Sequence, residues 1–289
     1  MKAWLADKFG EPLDVLALKD IDRPVPGPGQ VLIRVHAVGL GLPDLMSVQG
    51  RYPFVPTPPV IPGHSFMGTV ESAGSDSSFS PGARVMARTL YESHAGALAE
   101  FALANDFHTF SVPDELDDAQ AASFVLSYHT AYVGLVSRGM LGNGETVLVL
   151  GGSGATGSAA INLAKAMGAR VVATARGPEK AEFCRAQGAD HVIDPASSHI
   201  GEALLAATDG YGADVIFDPV GGTPSDQAVG AIAKRGRLVL IGIAAGLPTL
   251  KPIDMIGRTY SAIGAAFPNR SDAEREQAIR DLDALVRDG

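Results

Sequence analysis

From Thr146 the sequence runs TVLVLG, GSGATG and then SAAINLAKAMG, and that order constrains the fold more than any other feature. TVLVLG (146–151) is an unbroken apolar run, the pattern of a strand buried on both faces. In SAAINLAKAMG, Ala160, Leu163, Ala164 and Met167 recur at helical spacing, and Gly168 stands where such a helix would end. The alternation continues through RVVATA, a helix from Pro178 to Gln187, HVID, a helix near 199–207 and ADVIFD. A helix then opens at TPSDQ, with Thr223 placed to cap it and Pro224 at its first position, and RLVLIG closes the run. Strands and helices alternating at this length predict an α/β fold with a doubly wound parallel sheet.

Between the first strand and its helix lies Gly152-Ser153-Gly154-Ala155-Thr156-Gly157, a G-x-G-x-x-G turn in the right context. The first glycine permits a tight turn, the second lets backbone approach a pyrophosphate, and the third lets helix pack on strand. N–H groups at the helix start then face the phosphates. Together these features predict a Rossmann nucleotide-binding domain. A site for NAD usually carries Asp or Glu about 20 residues further on, holding the ribose hydroxyls. Here that place reads Ala173-Thr174-Ala175-Arg176, with an arginine in place of a carboxylate. A guanidinium suits a 2′-phosphate, so the predicted cofactor is NADPH.

Residues 1 to about 120 have another texture. Short runs such as MKAWLA, QVLIRVHAV, GTVESAG and ARVMAR alternate with Gly/Pro punctuation, which predicts a small β-barrel or sandwich. A net charge of −9 argues against nucleic acid or an anionic membrane as the main partner. The single cysteine, Cys184 in PEKAEFCRAQG, excludes a disulfide framework and a four-cysteine zinc site, and reads as a buried thiol on a helix. No apolar leader opens the chain and no apolar run reaches membrane-spanning length, so a cytoplasmic protein is expected.

The chain resembles the medium-chain dehydrogenase/reductase superfamily, in its zinc-independent quinone oxidoreductase (zeta-crystallin-like) branch. Matching stretches run almost end to end: VLIRVHAVGL, PDLMSVQGRYP, VIPGHSFMGTV, PGARVMA, GALAEFAL, HTAYVGL, GETVLVLGGSGATGSAAINLAKAMGA, GYGADVIFDPVGG and GRLVLIG. The resemblance implies a GroES-like catalytic domain over 1–122, a Rossmann domain over 123–264 and a cleft between them. Residues 265–289 would be the start of a return to the catalytic domain, cut short of the strands that complete it in the family. It further implies NADPH-dependent reduction of a quinone or of the activated double bond of an α,β-unsaturated carbonyl. A homodimer through the late strand near Tyr260–Gly264 is also implied. Carried over by motif, Tyr52 of QGRYP is the catalytic candidate beside the nicotinamide. Thr130, Gly242, Ile243 and Phe267 would border the cofactor, and Ser153 to Thr156 would hold its pyrophosphate.

His64 in PGHSFMGTV occupies the place where zinc-dependent members of the superfamily put a ligand. Their first cysteine ligand, in a segment shortly before an Asp, is matched here by Gly41 in Gly39-Leu40-Gly41-Leu42-Pro43-Asp44, and Ser65 stands where they carry Glu. With His64 and Asp44 as at most two ligands, no metal is expected, since a catalytic zinc needs three protein ligands. His64 is expected instead to hydrogen-bond a carbonyl or hydroxyl in a packed turn. Two departures stand out: quinone oxidoreductases usually carry Asn at the place of Gly41, and Pro195 follows Asp194 where an aromatic or imidazole is usual. Competing readings are an NADPH-binding protein with little turnover, structural or regulatory, and a zinc alcohol dehydrogenase.

Overall fold

The computed structural model of the chain describes residues 1–52, 57–90, 95–266 and 271–288. Two compact units divide it: Met1–Leu126 with the residues from Val286, and Ser127–Leu285.

In the first unit, β1 (Lys2–Ala6), α1 (Pro12–Val15) and β2 (Leu16–Asp20) form an antiparallel ribbon joined by one helical turn. There follow β3 (Gln30–Gly39), α2 (Leu42–Val48), β4 (Ser65–Ala73), β5 (Arg84–Arg88), β6 (Phe101–Asn105) and β7 (Thr109–Ser111). These five strands make an antiparallel sheet in the order β6-β3-β4-β5-β7. Its core is built mostly from small and β-branched side chains, including Val31, Ile33, Val70, Val85 and Ala104, around Phe66, as the short alternating runs predict. α2 is an addition to the strands read from sequence. Gly41 sits at its N-cap, Pro43 lies in its first turn, and the Asp44 carboxylate reaches back to the Gly41 N–H at 2.7 Å.

The second unit holds the alternating stretch. α3 (Asp118–Tyr132), whose first residues belong to the first unit, runs on into a π-helical turn, Val133–Arg138. Then come β8 (Thr146–Val149), α4 (Ala155–Ala166), β9 (Arg170–Thr174), α5 (Pro178–Ala186), β10 (His191–Ile193), α6 (Ile200–Ala207), β11 (Ala213–Asp218), α7 (Gly222–Val229), β12 (Ile232–Leu240), α8 (Pro252–Arg258), β13 (Ser261–Gly264) and α9 (Asp272–Asp288). The six strands pair in parallel in the order β10-β9-β8-β11-β12-β13. Every residue of β8 and of β11 is buried, which is why both read as continuous apolar runs. Leu148, Leu150, Val172, Ile216 and Leu238 of the sheet join Ile200, Leu204 and Ala228 of α6 and α7 in one core.

The expected cap of α7 is corrected. Gly221, not Thr223, is its N-cap, and Thr223 lies inside the first turn. The cause is Asp218, whose Oδ1 accepts the N–H groups of Val220 and Gly221, both at 2.8 Å. That turn throws Gly221 and Gly222 to φ of +69° and +55°, and the helix starts as soon as the chain leaves it.

Candidate functional site

Because the sheet of the second unit is parallel, its strands deliver their carboxyl ends to one edge, where ligands of such sheets bind. The Gly152–Gly157 turn follows β8, Arg176 follows β9, and Gly242 and Ile243 follow β12. The fold therefore gathers these predicted residues on one sheet edge. Thr130 lies half-buried in α3. Phe267 lies outside the described residues.

The turn after β8 is held on its inner side and open on its outer side. Thr174 of β9 fixes it twice: its Oγ1 accepts the Gly151 N–H at 2.9 Å and its carbonyl accepts the Gly152 N–H at 2.8 Å. A Cβ at Gly157 would lie 2.2 Å from the Gly151 carbonyl oxygen, and one at Gly152 would press on Ala173, Ile161 and the Cys184 sulfur at 2.9–3.1 Å. Gly154 is exposed and its Cβ would meet nothing nearer than 3.4 Å. The hydrogen-bond ladder of α4 starts at the Ser158 N–H donating to the Gly154 carbonyl, so the N–H groups of Ala155, Thr156 and Gly157 precede it. These N–H groups and the positive end of the helix form a cradle for an anion.

Around this cradle the loops are tied by groups that sequence reading passed over. Asp218 is fully buried. Its carbonyl accepts the N–H groups of Ile241 and Gly242, while its Oδ1 holds the Val220–Gly221 turn, so one residue braces the loops after β11 and β12. Its Oδ2 is one of the buried side-chain oxygens that have no hydrogen-bond partner among the described residues. Asp194, at the end of β10, accepts the Gly177 N–H at 2.9 Å through Oδ2 and the Ala196 N–H at 2.8 Å through Oδ1. Cys184 is buried on α5 as expected, and burial pushes its thiol up from the ordinary value despite the charge of Arg185. The signals for Asp218 and Asp194 were the strings D-P-V-G-G and D-P-A-S, in which an Asp precedes backbone N–H groups it can cap.

In the first unit, Tyr52 lies half-buried with its ring edge on His64, centroids 5.4 Å apart and planes at 61°. His64 is buried, and its Nδ1 lies 2.6 Å from Asp44 Oδ1. At Nδ1 the partner is thus a carboxylate, in place of the expected carbonyl or hydroxyl. The same Oδ1 accepts the N–H groups of Gly63 at 2.7 Å and His64 at 2.9 Å, and Oδ2 takes the N–H of Gly41. Burial raises the carboxyl of Asp44, but His64 and these backbone donors outweigh it and hold the group below its ordinary value. With four donors on its two oxygens, Asp44 is an acceptor hub built into the turn. Ser65 donates to the Ala122 carbonyl at 2.7 Å. Among the described residues, no three His, Cys, Asp or Glu side chains group where a metal ion could be held.

Comparison with known proteins places this geometry. A family model described as alcohol dehydrogenase GroES-like domain matches residues 27–114, and one described as zinc-binding dehydrogenase matches residues 155–284. Human quinone oxidoreductase is 31% identical over all of this chain and 87% of its own length. Among solved structures, a mycobacterial protein complexed with NADPH superposes with a TM-score of 0.90 at 30% identity, covering 100% of this chain and 89% of its own. Quinone oxidoreductase from Thermus thermophilus, also solved with NADPH, gives 0.81 at 33% identity over 98% of this chain and 87% of its own. The two-unit architecture, the glycine turn and these likenesses converge: the chain belongs to the medium-chain dehydrogenase/reductase family, in its quinone oxidoreductase-like branch.

Proposed function

We propose that this protein is an NADPH-dependent reductase that transfers hydride, without a metal, to a quinone or to the activated double bond of an α,β-unsaturated carbonyl. The observation that carries the reading is the open turn after β8 with Arg176 at the end of the next strand. The residues fit a dinucleotide: Gly152 and Gly157 leave no room for side chains behind the turn, and the helix N–H groups lie in front of it. Ser153 to Gly157 would hold the pyrophosphate, Arg176 the 2′-phosphate, and Thr130, Gly242 and Ile243 the nicotinamide side. NADPH, when bound, supplies the hydride.

The chain's own contribution is positioning and charge stabilisation. Reduction of an enone or quinone leaves negative charge on an oxygen, and the hydroxyl of Tyr52 is the group we assign to donate a hydrogen bond there. His64 backs the Tyr52 ring and Asp44 fixes His64 through Nδ1, so the donor rests against a buried, hydrogen-bonded pair. The metal-free reading draws support from Gly41, which offers no side chain for ligation, and from Asp44, whose oxygens are taken by backbone and imidazole donors. A delocalised product anion needs no Lewis acid, whereas an alkoxide does. We also propose a homodimer through β13, which is the outer strand of its sheet; Ile253 and Ile256 of the preceding helix, α8, are 71% and 73% exposed.

Steady NADPH oxidation with 1,4-benzoquinone or an enone tests the reading. Tyr52→Phe should lower kcat by roughly tenfold to a hundredfold with little change in NADPH affinity. Tight NADPH binding with no oxidation of it over a panel of quinones, enones and aldehydes would instead support the binding-protein reading.

A further inference from the structure

We propose that Asp194 is a specificity-determining residue of the nucleotide site, acting against Arg176 so that a nucleotide with a bare ribose hydroxyl is tolerated beside one with a 2′-phosphate. This rests on the dinucleotide reading above.

Read along the chain, the end of β9 offers an arginine and no carboxylate. The fold supplies the carboxylate from the neighbouring strand. β10 runs parallel to β9 with Ile193 opposite Thr174, and the Ala175 N–H donates to the Ile193 carbonyl at 3.0 Å. The next residue of each strand end, Asp194 and the Ala175-Arg176-Gly177 turn, therefore lie side by side. The hydrogen bond from Gly177 to Asp194 Oδ2 joins them at 2.9 Å. Backbone donation from Ala196 and Gly177, together with the charge of Arg176, holds the Asp194 carboxyl below its ordinary value, so it is an anion at neutral pH.

Two opposite charges thus stand at one turn. Arg176 is exposed and attracts a phosphate. Asp194 repels that phosphate, yet each of its oxygens accepts a single backbone N–H and retains a lone pair for a ribose hydroxyl. Its first effect favours the unphosphorylated nucleotide, and so does its second. The remaining role, propping the Gly177 turn, serves both nucleotides alike. Only the ratio of the two affinities separates charge from propping.

The test is fluorescence titration of the full chain with NADPH and with NADH, for the unaltered protein, Asp194→Asn and Asp194→Glu, at low and high salt. Asp194→Asn should raise the ratio Kd(NADH)/Kd(NADPH) by about three- to tenfold at low salt. The excess should shrink as salt screens the exposed charge. Asp194→Glu, which keeps the charge, should leave the ratio near that of the unaltered protein. If both Kd values rise in Asp194→Asn while the ratio stays put, Asp194 only props the turn and the inference falls, with the dinucleotide reading intact. If the unaltered chain binds neither nucleotide, that reading fails and this inference fails with it.

Discussion

The turn around His64 and the turn after β8 are built on opposite plans. Around His64, side chains supply the acceptors, and backbone donors point inward at one buried carboxylate. After β8, contact excludes side chains at Gly152 and Gly157, Thr174 holds the inner side, and the N–H groups of Ala155, Thr156 and Gly157 precede the helix ladder. The first arrangement spends its hydrogen-bonding capacity on itself and yields a rigid support. The second leaves capacity over and yields a binding surface. A turn's chemistry is decided by which way its N–H groups face, more than by which side chains it carries.

Asp44→Ala should strike hardest. It strands a buried imidazole and three N–H groups, and should cost the protein about 3–5 kcal/mol, measured by denaturant unfolding. Survival of the variant with undiminished stability would show the first turn is no hub. The pH dependence sharpens the point. The carboxyl of Asp44 lies below its ordinary value of 3.8 in the folded chain, so its contribution is present above that pH. It is lost as pH falls further, through the folded value. Asp44→Asn should therefore flatten that acid limb of the stability curve.

Gly157→Ala comes next. Its Cβ would meet the Gly151 carbonyl at 2.2 Å, and backbone has to move. The expected cost is about 1–3 kcal/mol of stability, with NADPH affinity lowered further because the cradle itself shifts. Calorimetric titration beside thermal unfolding reads both quantities. A variant that unfolds earlier yet binds NADPH unchanged would break the contrast between the two turns.

Smallest is Arg176→Ala, which touches no packing. NADPH should bind about tenfold more weakly while NADH is little affected and stability stays within about 0.5 kcal/mol. Equal losses for both nucleotides would remove Arg176 from the 2′-phosphate.

The parallel sheet, the glycine turn and the exposed arginine were legible because each depends on residues close in sequence. TVLVLG announces its burial on both faces, and G-x-G-x-x-G announces the steric need behind it. Asp44 and His64 are 20 residues apart, and nothing local says that one will close on the other. Asp194 was passed over for the same reason: its partner Gly177 is 17 residues away, and only strand pairing brings them side by side. The cap of α7 failed at shorter range, where a rule favouring Thr lost to an aspartate that had already bent the chain.

The sulfur of Cys184, packed behind Gly152, gives the chain a built-in clock. It is the protein's single thiol, buried and uncharged, so a maleimide or disulfide reagent reaches it only when the packing around it opens. The labelling rate therefore counts openings around this sulfur, against which Gly152 of the nucleotide turn packs. A ligand that binds only the closed form must slow that count in proportion to its own occupancy.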